Sequence, residues 1–194
     1  ISIDYTLINA RYNRCVVKER LGFEDKAFLC FLDLTQKWPS HSETLNKLGI
    51  ILMDNGEYDK AEKYFEKAVN LKTMNVESYE KLAALLKKKG DTNSEINVYR
   101  EYVDFGSDVT FLRKTGYALS SYGDINNAIK AFEKITQLKN PSGDDFYNLG
   151  VLYAKKGKNQ KAYMAFKQAL HVEPSNQNAN KILKRIKIER KNSK

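Results

Sequence analysis

The sequence is poor in the residues that interrupt helices or build cross-linked scaffolds. Its 194 residues include only three prolines and two cysteines, and its ten glycines are spread along the chain. This composition excludes a Pro- or Gly-rich linker, and two cysteines without a CxxC spacing are too few for a disulfide scaffold or a zinc finger. No apolar run approaches the roughly 18 residues of a membrane span, so no transmembrane segment is expected in this stretch.

The start of the chain has no recognisable targeting signal. Residues 1–10 lack the basic start and apolar middle of a secretory signal peptide. Because the chain opens with Ile1 and not with Met, we expect it to be a fragment or a processed product. The compartment is therefore left open between the cytoplasm and, if a signal precedes Ile1, a periplasmic or other extracytoplasmic space.

Positive charge is concentrated in the second half of the chain. Residues 1–108 contain 16 Lys and Arg against 18 Asp and Glu, whereas residues 109–194 contain 17 against 6. A basic region of this kind can attract acidic protein, nucleic acid or anionic lipid. Lysine-rich helix faces are, however, commonly just solvated surface, and we favour that interpretation.

The strongest pattern is an internal repeat. Five glycines are separated by 34, 34, 33 and 34 residues, namely Gly22, Gly56, Gly90, Gly123 and Gly157. The fifth residue after each glycine is Ala in all repeats but the third: Ala27, Ala61, Glu95, Ala128 and Ala162. An aromatic side chain follows four residues later: Phe31, Phe65, Tyr99, Phe132 and Phe166. A fixed period of this length predicts a stack of similar supersecondary units.

Each unit has the apolar period of helices. In the last one, Phe146, Leu149, Gly150 and Tyr153 follow the i, i+3, i+4, i+7 spacing of one helix face, and a second such helix follows Gly157. Glycine suits the end of the first helix because it tolerates the left-handed conformation of a helix cap. The pattern therefore predicts eleven helices and no β-sheet.

This period and these residues resemble the tetratricopeptide-repeat (TPR) family over nearly the whole chain. The last unit, from Phe146 to Pro174, carries the family's residue at almost every defining place. The resemblance implies an all-α, right-handed α-solenoid of five TPR helix pairs with a C-terminal capping helix, in a single domain of residues 1–194. The repeats are expected at 8–41, 42–75, 76–108, 109–142 and 143–176, and the capping helix at 177–191. In the third repeat Glu95 replaces the usual small residue, so we expect irregular packing there.

Few residues in the sequence suggest disulfide formation, metal binding or catalysis. Cys15 and Cys30 lie on the two helices of the first pair and could bond in an oxidising compartment, but we expect them to pack as small buried side chains. His41 and His171 are far apart and lack other ligands at metal spacing, so no metal and no cofactor are expected. Asp144 and Asp145 stand where they would cap a helix. No nucleophile elbow, phosphate loop or catalytic set is present, so we do not expect an enzyme.

The resemblance also implies where a ligand would bind. In TPR superhelices the first helix of each pair lines a concave groove, at the second, fifth, ninth and twelfth places of the repeat. From these places we select as the candidate partner-binding groove Tyr12, Asn46, Ile50, Met53, Arg113, Tyr117, Tyr147 and Val151. Tyr, Met and Arg are favoured at interfaces. The family's carboxylate clamp for chaperone tails is not expected, because Tyr12 and Val16 occupy the places where it needs Lys and Asn.

Three of these residues form a sharper hypothesis. Arg113, Tyr117 and Tyr147 are expected to be neighbours on adjacent first helices. Two aromatic rings would bind an apolar anchor of the partner, and the guanidinium fork of Arg113 would bind its carboxylate.

The leading functional hypothesis is a non-enzymatic scaffold or adaptor that binds a protein or peptide, possibly an acidic one, in the concave groove. The alternative is a regulatory or assembly module of a longer, possibly enzymatic protein. Electrostatic binding of nucleic acid or membrane by residues 109–194 is a third and weaker alternative, because the aromatic platform for single strands is not evident. The oligomeric state is open, with a monomer favoured.

Overall fold

The computed structural model describes residues 5–73, 75–138 and 140–192, and within them every regular element is a helix. The eleven helices are α1 (Tyr5–Arg20), α2 (Glu24–Lys37), α3 (Ser42–Asp54), α4 (Tyr58–Asn70), α5 (Val76–Lys89), α6 (Thr92–Phe105), α7 (Val109–Ser121), α8 (Ile125–Gln137), α9 (Gly143–Lys155), α10 (Asn159–Val172) and α11 (Gln177–Asn192). They form five sequential antiparallel pairs and a final helix, which is typical of a TPR solenoid. The all-α class and the eleven helices are confirmed.

Glycines end the first helix of each pair as the repeat predicts. Gly90 has φ of 75° and caps α5, and the amide of Asp91 donates to the carbonyl of Leu86 at 3.0 Å. A side chain with a Cβ is strained at this φ, which is why glycine recurs here. The chain therefore reverses into α6 after only two residues.

A small residue and a phenyl ring hold the two helices of a pair together. A Cβ placed on Gly150 would lie 2.6 Å from the ring of Phe166, and one on Gly49 would lie 2.6 Å from that of Phe65. Both distances are below van der Waals contact, so only glycine lets the helices approach this closely. The rings themselves are almost completely buried.

The chain divides into two compact units, Ile1–Val98 and Tyr99–Lys194, which we call unit 1 and unit 2. The boundary falls inside α6. The largest fully buried side chains of unit 1 include Phe31, Leu48 and Phe65, and those of unit 2 include Tyr102 and Phe132. The single domain of residues 1–194 stays a prediction.

The structure corrects the expectation for the two cysteines. Cys15 on α1 and Cys30 on α2 form a disulfide, with their Cα atoms 5.6 Å apart. Cys15 occupies the place that Gly116 has in the fourth repeat, and Cys30 occupies that of Ala131. A Cβ on Gly116 would lie 3.4 Å from the Cβ of Ala131, close to the separation across a disulfide. The helix pair thus brings these two places into bonding range.

In the part of the chain that the structure describes, no helix is both long enough and apolar enough to cross a lipid bilayer.

Candidate functional site

Tyr12 is the predicted groove residue of the first repeat, and it is half-buried on α1. Its ring centroid lies 5.6 Å from those of Phe31 and His41. Burial raises the pKa of Tyr12, and the negative charges of Glu43 and other nearby carboxylates raise it further. The hydroxyl of Tyr12 therefore stays protonated at neutral pH, and only part of the aromatic ring is exposed to a ligand.

Asn46 is buried, and its side chain forms hydrogen bonds within the protein. Its Nδ2 donates to Oε2 of Glu77 at 2.7 Å, and its Oδ1 accepts from the hydroxyl of Ser78 at 3.1 Å. Both partners lie on α5, so the amide connects the first helices of repeats two and three. A ligand would have to compete with these bonds to use Asn46.

Ile50 and Met53 lie on α3 beyond Asn46 and are half-buried. Each leaves part of an apolar side chain at the surface of unit 1. They remain usable for contact with a partner, in contrast to Asn46.

Arg113 of unit 2 forms a bidentate ion pair with Asp145. Its Nε donates to Oδ1 at 2.8 Å and its Nη2 donates to Oδ2 at 3.0 Å. The side chain of Asp145 has no exposed surface, and that of Arg113 is 35% exposed. The pair joins α7 to α9, the first helices of repeats four and five.

Asp145 also caps its own helix. The hydroxyl of Ser142 accepts from the amide of Asp145 at 3.2 Å, and the amide of Ser142 donates to Oδ2 of Asp145 at 2.9 Å. Burial alone would raise the pKa of Asp145, but the hydrogen bonds from Arg113 and Ser142 outweigh burial and lower this pKa. Asp145 therefore holds a stable negative charge at neutral pH.

The fork of Arg113 is thus already occupied. We expected it to be open to a partner's carboxylate, but Asp145 satisfies one side of the guanidinium and neutralises its charge. The ion pair was not predicted from the sequence because the two residues are 32 positions apart. An acidic residue of a partner can reach only the outer edge of the guanidinium.

The same pair of places is connected in both units. Asn46 and Arg113 are the fifth residues of α3 and α7, and Ser78 and Asp145 are the third residues of α5 and α9. The contact is a hydrogen bond between neutral side chains in unit 1 and an ion pair in unit 2. The two places in the repeat are the same. A search for polar residues at these two places, one repeat apart, would have found both contacts.

Tyr117 is the most exposed of the predicted groove residues in unit 2, at 49%. Its ring packs edge-on against Phe132 at 5.4 Å, and its hydroxyl accepts from Nδ2 of Asn148 at 2.8 Å. The ring is therefore held at both ends while one side stays open. This is a rigid aromatic surface on α7.

Tyr147 and Val151 lie on α9 and are half-buried. The ring of Tyr147 packs against Phe166 at 5.7 Å. We call Tyr117, Tyr147 and Val151 the α7–α9 surface. Its side chains are mainly apolar, and the hydrogen bond from Asn148 to Tyr117 links the two helices.

Of the two histidines considered for metal binding, His41 has a structural role. His41 is buried, and its Nδ1 lies 2.6 Å from the hydroxyl of Thr44. Burial lowers the pKa of His41, against the opposing effect of Glu43. Across residues 5–73, 75–138 and 140–192, no group of three or more His, Cys, Asp or Glu side chains is placed to hold a metal ion.

Exposed apolar side chains on the first helix pair were not singled out from the sequence. They are Leu7, Val17 and Leu29 on the helices and Leu21 and Phe23 in the turn between α1 and α2. Lys26 lies 4.9 Å over the ring of Phe23.

Known sequences agree with the repeat. Tetratricopeptide-repeat family profiles match residues 42–73 and 144–176, which are repeats two and five. A TPR repeat-containing protein of Methanocaldococcus jannaschii is 24% identical over 185 residues, covering 84% of this chain. The match spans 32% of that relative, so the chain corresponds to about a third of its length.

Solved structures share the fold. The crystal structure of YrrB, a TPR protein with an unusual peptide-binding site, is 21% identical, covers 90% of both chains and has a TM-score of 0.53. The crystal structure of MamA is 26% identical, covers 86% of this chain and 92% of its own, and also has a TM-score of 0.53. At these identities the likeness supports the arrangement of helices and leaves the ligand to be argued from the surface.

Proposed function

Because the chain belongs to the tetratricopeptide-repeat family, we propose that it is a protein-interaction scaffold that binds an extended or helical segment of a partner on its first helices. TPR domains are typically non-catalytic, and their fold is associated with protein or peptide partners. Fold alone does not name a partner, so the proposal rests on the surface of this chain. YrrB supports it only as an example of a related fold with a peptide site.

The α7–α9 surface is the best-supported place for that segment. The observation that carries the proposal is Tyr117, an exposed ring fixed by Phe132 and Asn148. A side chain that is already held loses little conformational entropy when a ligand covers it. Tyr147 and Val151 extend the apolar area on the neighbouring helix.

The occupied guanidinium of Arg113 changes the expected partner. A segment that relied on a carboxylate to bind Arg113 would compete with Asp145. The surface therefore favours a segment with an aliphatic or aromatic anchor, and acidic residues of the partner serve to steer it towards the basic unit 2.

A pair of alanine variants tests this proposal. Tyr117→Ala with Tyr147→Ala should weaken partner binding by roughly 2 kcal/mol or more, because tyrosines that become covered by a partner are frequent hot spots of interfaces. The partner is first captured with the wild-type chain and identified by mass spectrometry, and affinities are then measured by calorimetry.

Tyr122→Ala is the matched control. Tyr122 is also exposed but follows the end of α7, outside the α7–α9 surface. It should leave the affinity nearly unchanged, and circular dichroism should show an intact fold for all variants. Equal affinities of the double variant and the control would remove this surface from consideration.

The second candidate function, a module of a longer protein, is favoured by one observation. The chain matches only 32% of the length of its relative from M. jannaschii. In that case the repeats would recruit a partner for another domain. Comparing the activity of the full gene product with and without residues 1–194 distinguishes a module from an independent adaptor.

A further inference from the structure

A groove lies between α10 and α11, outside the α7–α9 surface. Its volume is about 390 Å³, and its lining includes Tyr163, Lys167, Leu170, Leu183, Lys184 and Ile186. This is within the size range of small ligand sites, at about 300 to 1,000 Å³. Both walls are helices, and the three aliphatic side chains among the lining residues are half-buried.

The first turn of α11 is anchored by hydrogen bonds and by burial. Nδ2 of Asn176 donates to Asp144 at 2.8 Å, and its Oδ1 accepts from the amide of Ala179 at 3.0 Å. Ala179 is fully buried. Further along α11, Leu183 and Ile186 are only half-covered by α10.

Equivalent places in earlier repeats show how incompletely α11 is covered. Leu183 is the seventh residue of its helix, as Leu48 is in α3 and Leu149 is in α9. Leu48 and Leu149 are 0% and 6% exposed, and Leu48 packs in a buried cluster with Phe31 and Leu34 on α2, the second helix of the preceding pair. Leu183 stays half-buried beside α10, the second helix of the pair before α11. The groove therefore leaves an apolar strip that the apolar face of another helix can cover.

Charge then selects the kind of helix. Within residues 159–186 there are five Lys or Arg and one acidic residue. Lys167 and Lys184 are exposed and form no ion pair with a described residue. By contrast, Arg100 and Arg113 of the same unit are paired with Asp124 and Asp145. Two exposed cations with no ion-pair partner among the described residues, beside an apolar floor, complement a ligand with acidic residues flanking an apolar face.

We propose that the α10–α11 groove is a second binding site, which takes an acidic amphipathic helix from a partner protein. Leucine-like side chains of that helix cover Leu170, Leu183 and Ile186, and its carboxylates pair with Lys167 and Lys184. This is the helix-in-groove mode of peptide recognition. The site uses none of the residues of the α7–α9 surface, so either site can fail without the other.

A designed peptide is the probe. It is a fluorescent amphipathic helix of about 16 residues, with Leu at i, i+3, i+4 and i+7 spacing and Glu on the flanks. Two control peptides keep its length: one carries Lys in place of Glu, the other Ser in place of Leu. Fluorescence anisotropy with the full chain should show binding of the acidic peptide and weakening as salt rises.

Charge reversal at the groove tests the site itself. Lys167→Glu with Lys184→Glu should weaken binding of the acidic peptide by about tenfold or more, because both contacts become repulsive. The matched control is Lys130→Glu with Lys155→Glu, two exposed lysines outside the groove lining with the same change in net charge. The control should weaken binding by less than about threefold, through long-range steering alone.

An apolar variant separates the groove from a general electrostatic effect. Leu183→Asn should weaken binding by about tenfold, whereas Met164→Asn, an exposed position on α10 outside the lining, should leave it nearly unchanged. Thermal unfolding checks that α11 stays docked. If Leu183→Asn unfolds the unit, the lysine variants decide the question because their side chains are exposed.

Several results would overturn the proposal. These are the absence of peptide binding, equal losses in the groove and control lysine variants, and equal binding of the Ser-substituted peptide. Binding to phosphatidylserine vesicles without binding to the acidic peptide would assign the groove to an anionic lipid surface instead. Tyr117→Ala with Tyr147→Ala should not change affinity for this peptide, so the two sites are tested independently.

Discussion

Units 1 and 2 are built on the same repeat but differ in charge and in how their helices are joined. Unit 1 has 15 Lys and Arg against 15 Asp and Glu, whereas unit 2 has 18 against 9, so unit 2 carries the whole net charge of +9. Unit 1 is cross-linked by Cys15–Cys30, and unit 2 by the ion pair of Arg113 with Asp145. The comparison teaches that the repeat fixes where contacts fall, while the chemistry at those places is free to vary.

The two units also expose different surfaces. Unit 1 presents aliphatic side chains on its first helix pair, such as Val17 and Leu29. Unit 2 presents the ordered ring of Tyr117 and the basic groove of α10 and α11. Since lysines line the apolar groove of α10 and α11 and unit 2 carries the net positive charge, we place both proposed partner sites there and expect acidic partners to be steered to that half.

Removal of the disulfide should have the largest effect. Cys15→Ala with Cys30→Ala should lower the free energy of unfolding by about 3 kcal/mol, the value for closing a loop of this length. Urea unfolding measures it, and hydrogen exchange should place the loss in unit 1. A reductant should destabilise the wild type by a similar amount and leave the variant unchanged; a wild type indifferent to reductant would show that the two thiols do not pair in solution.

Overfilling a close helix contact comes next. Ala162 is buried on α10 beside the contact of Gly150 with Phe166, so Ala162→Leu should destabilise by about 1 to 3 kcal/mol. Ala61→Leu is the equivalent change in unit 1 and should cost about as much, since Gly49 and Phe65 meet at the same distance. A loss under about 0.5 kcal/mol in urea unfolding, the scale of a surface change, would contradict this packing.

The ionic contact of unit 2 should respond to acid. The folded pKa of Asp145 is lowered, so its contribution to stability is complete above the unfolded Asp pKa of about 3.9 and is lost as pH falls through the lower folded value. Asp145→Asn should cost about 1.5 kcal/mol at neutral pH, the scale of a hydrogen bond to a charged group. It should also flatten the acid limb of the stability profile below about pH 4.

Unit 1 should respond at a higher pH and by a smaller amount. The folded pKa of His41 is lowered by burial, so stability is complete above the unfolded value of about 6.5 and falls as His41 gains a proton below it. His41→Asn keeps a residue suited to the N-cap of α3 and should remove this slope, changing stability by less than about 1 kcal/mol. Thermal unfolding measured between about pH 5 and 7 checks it; an unchanged slope would assign the titration to another group.

Much of the fold was predictable because it depends on local patterns. The recurring glycines mark the helix ends, and the Gly150 and Phe166 spacing marks the tight helix pair. Both signals lie within one repeat and act through backbone conformation and side-chain size. The disulfide was within reach of the same reasoning, since aligning the repeats places Cys15 and Cys30 where Gly116 and Ala131 meet.

What the sequence determined alone is the set of eleven helices, their pairing and the faces they bury, because each follows from a period of a few residues. What only the tertiary structure decided is which polar groups are left for a partner. Asn46 and Arg113 have interface chemistry, yet both are bound to residues about one repeat away. Tyr117 remains open, and Leu183 is left half-covered beside Lys184. Whether a side chain is exposed or already bonded depends on neighbours that the stacking of repeats brings together. The helical period of the sequence does not identify those neighbours.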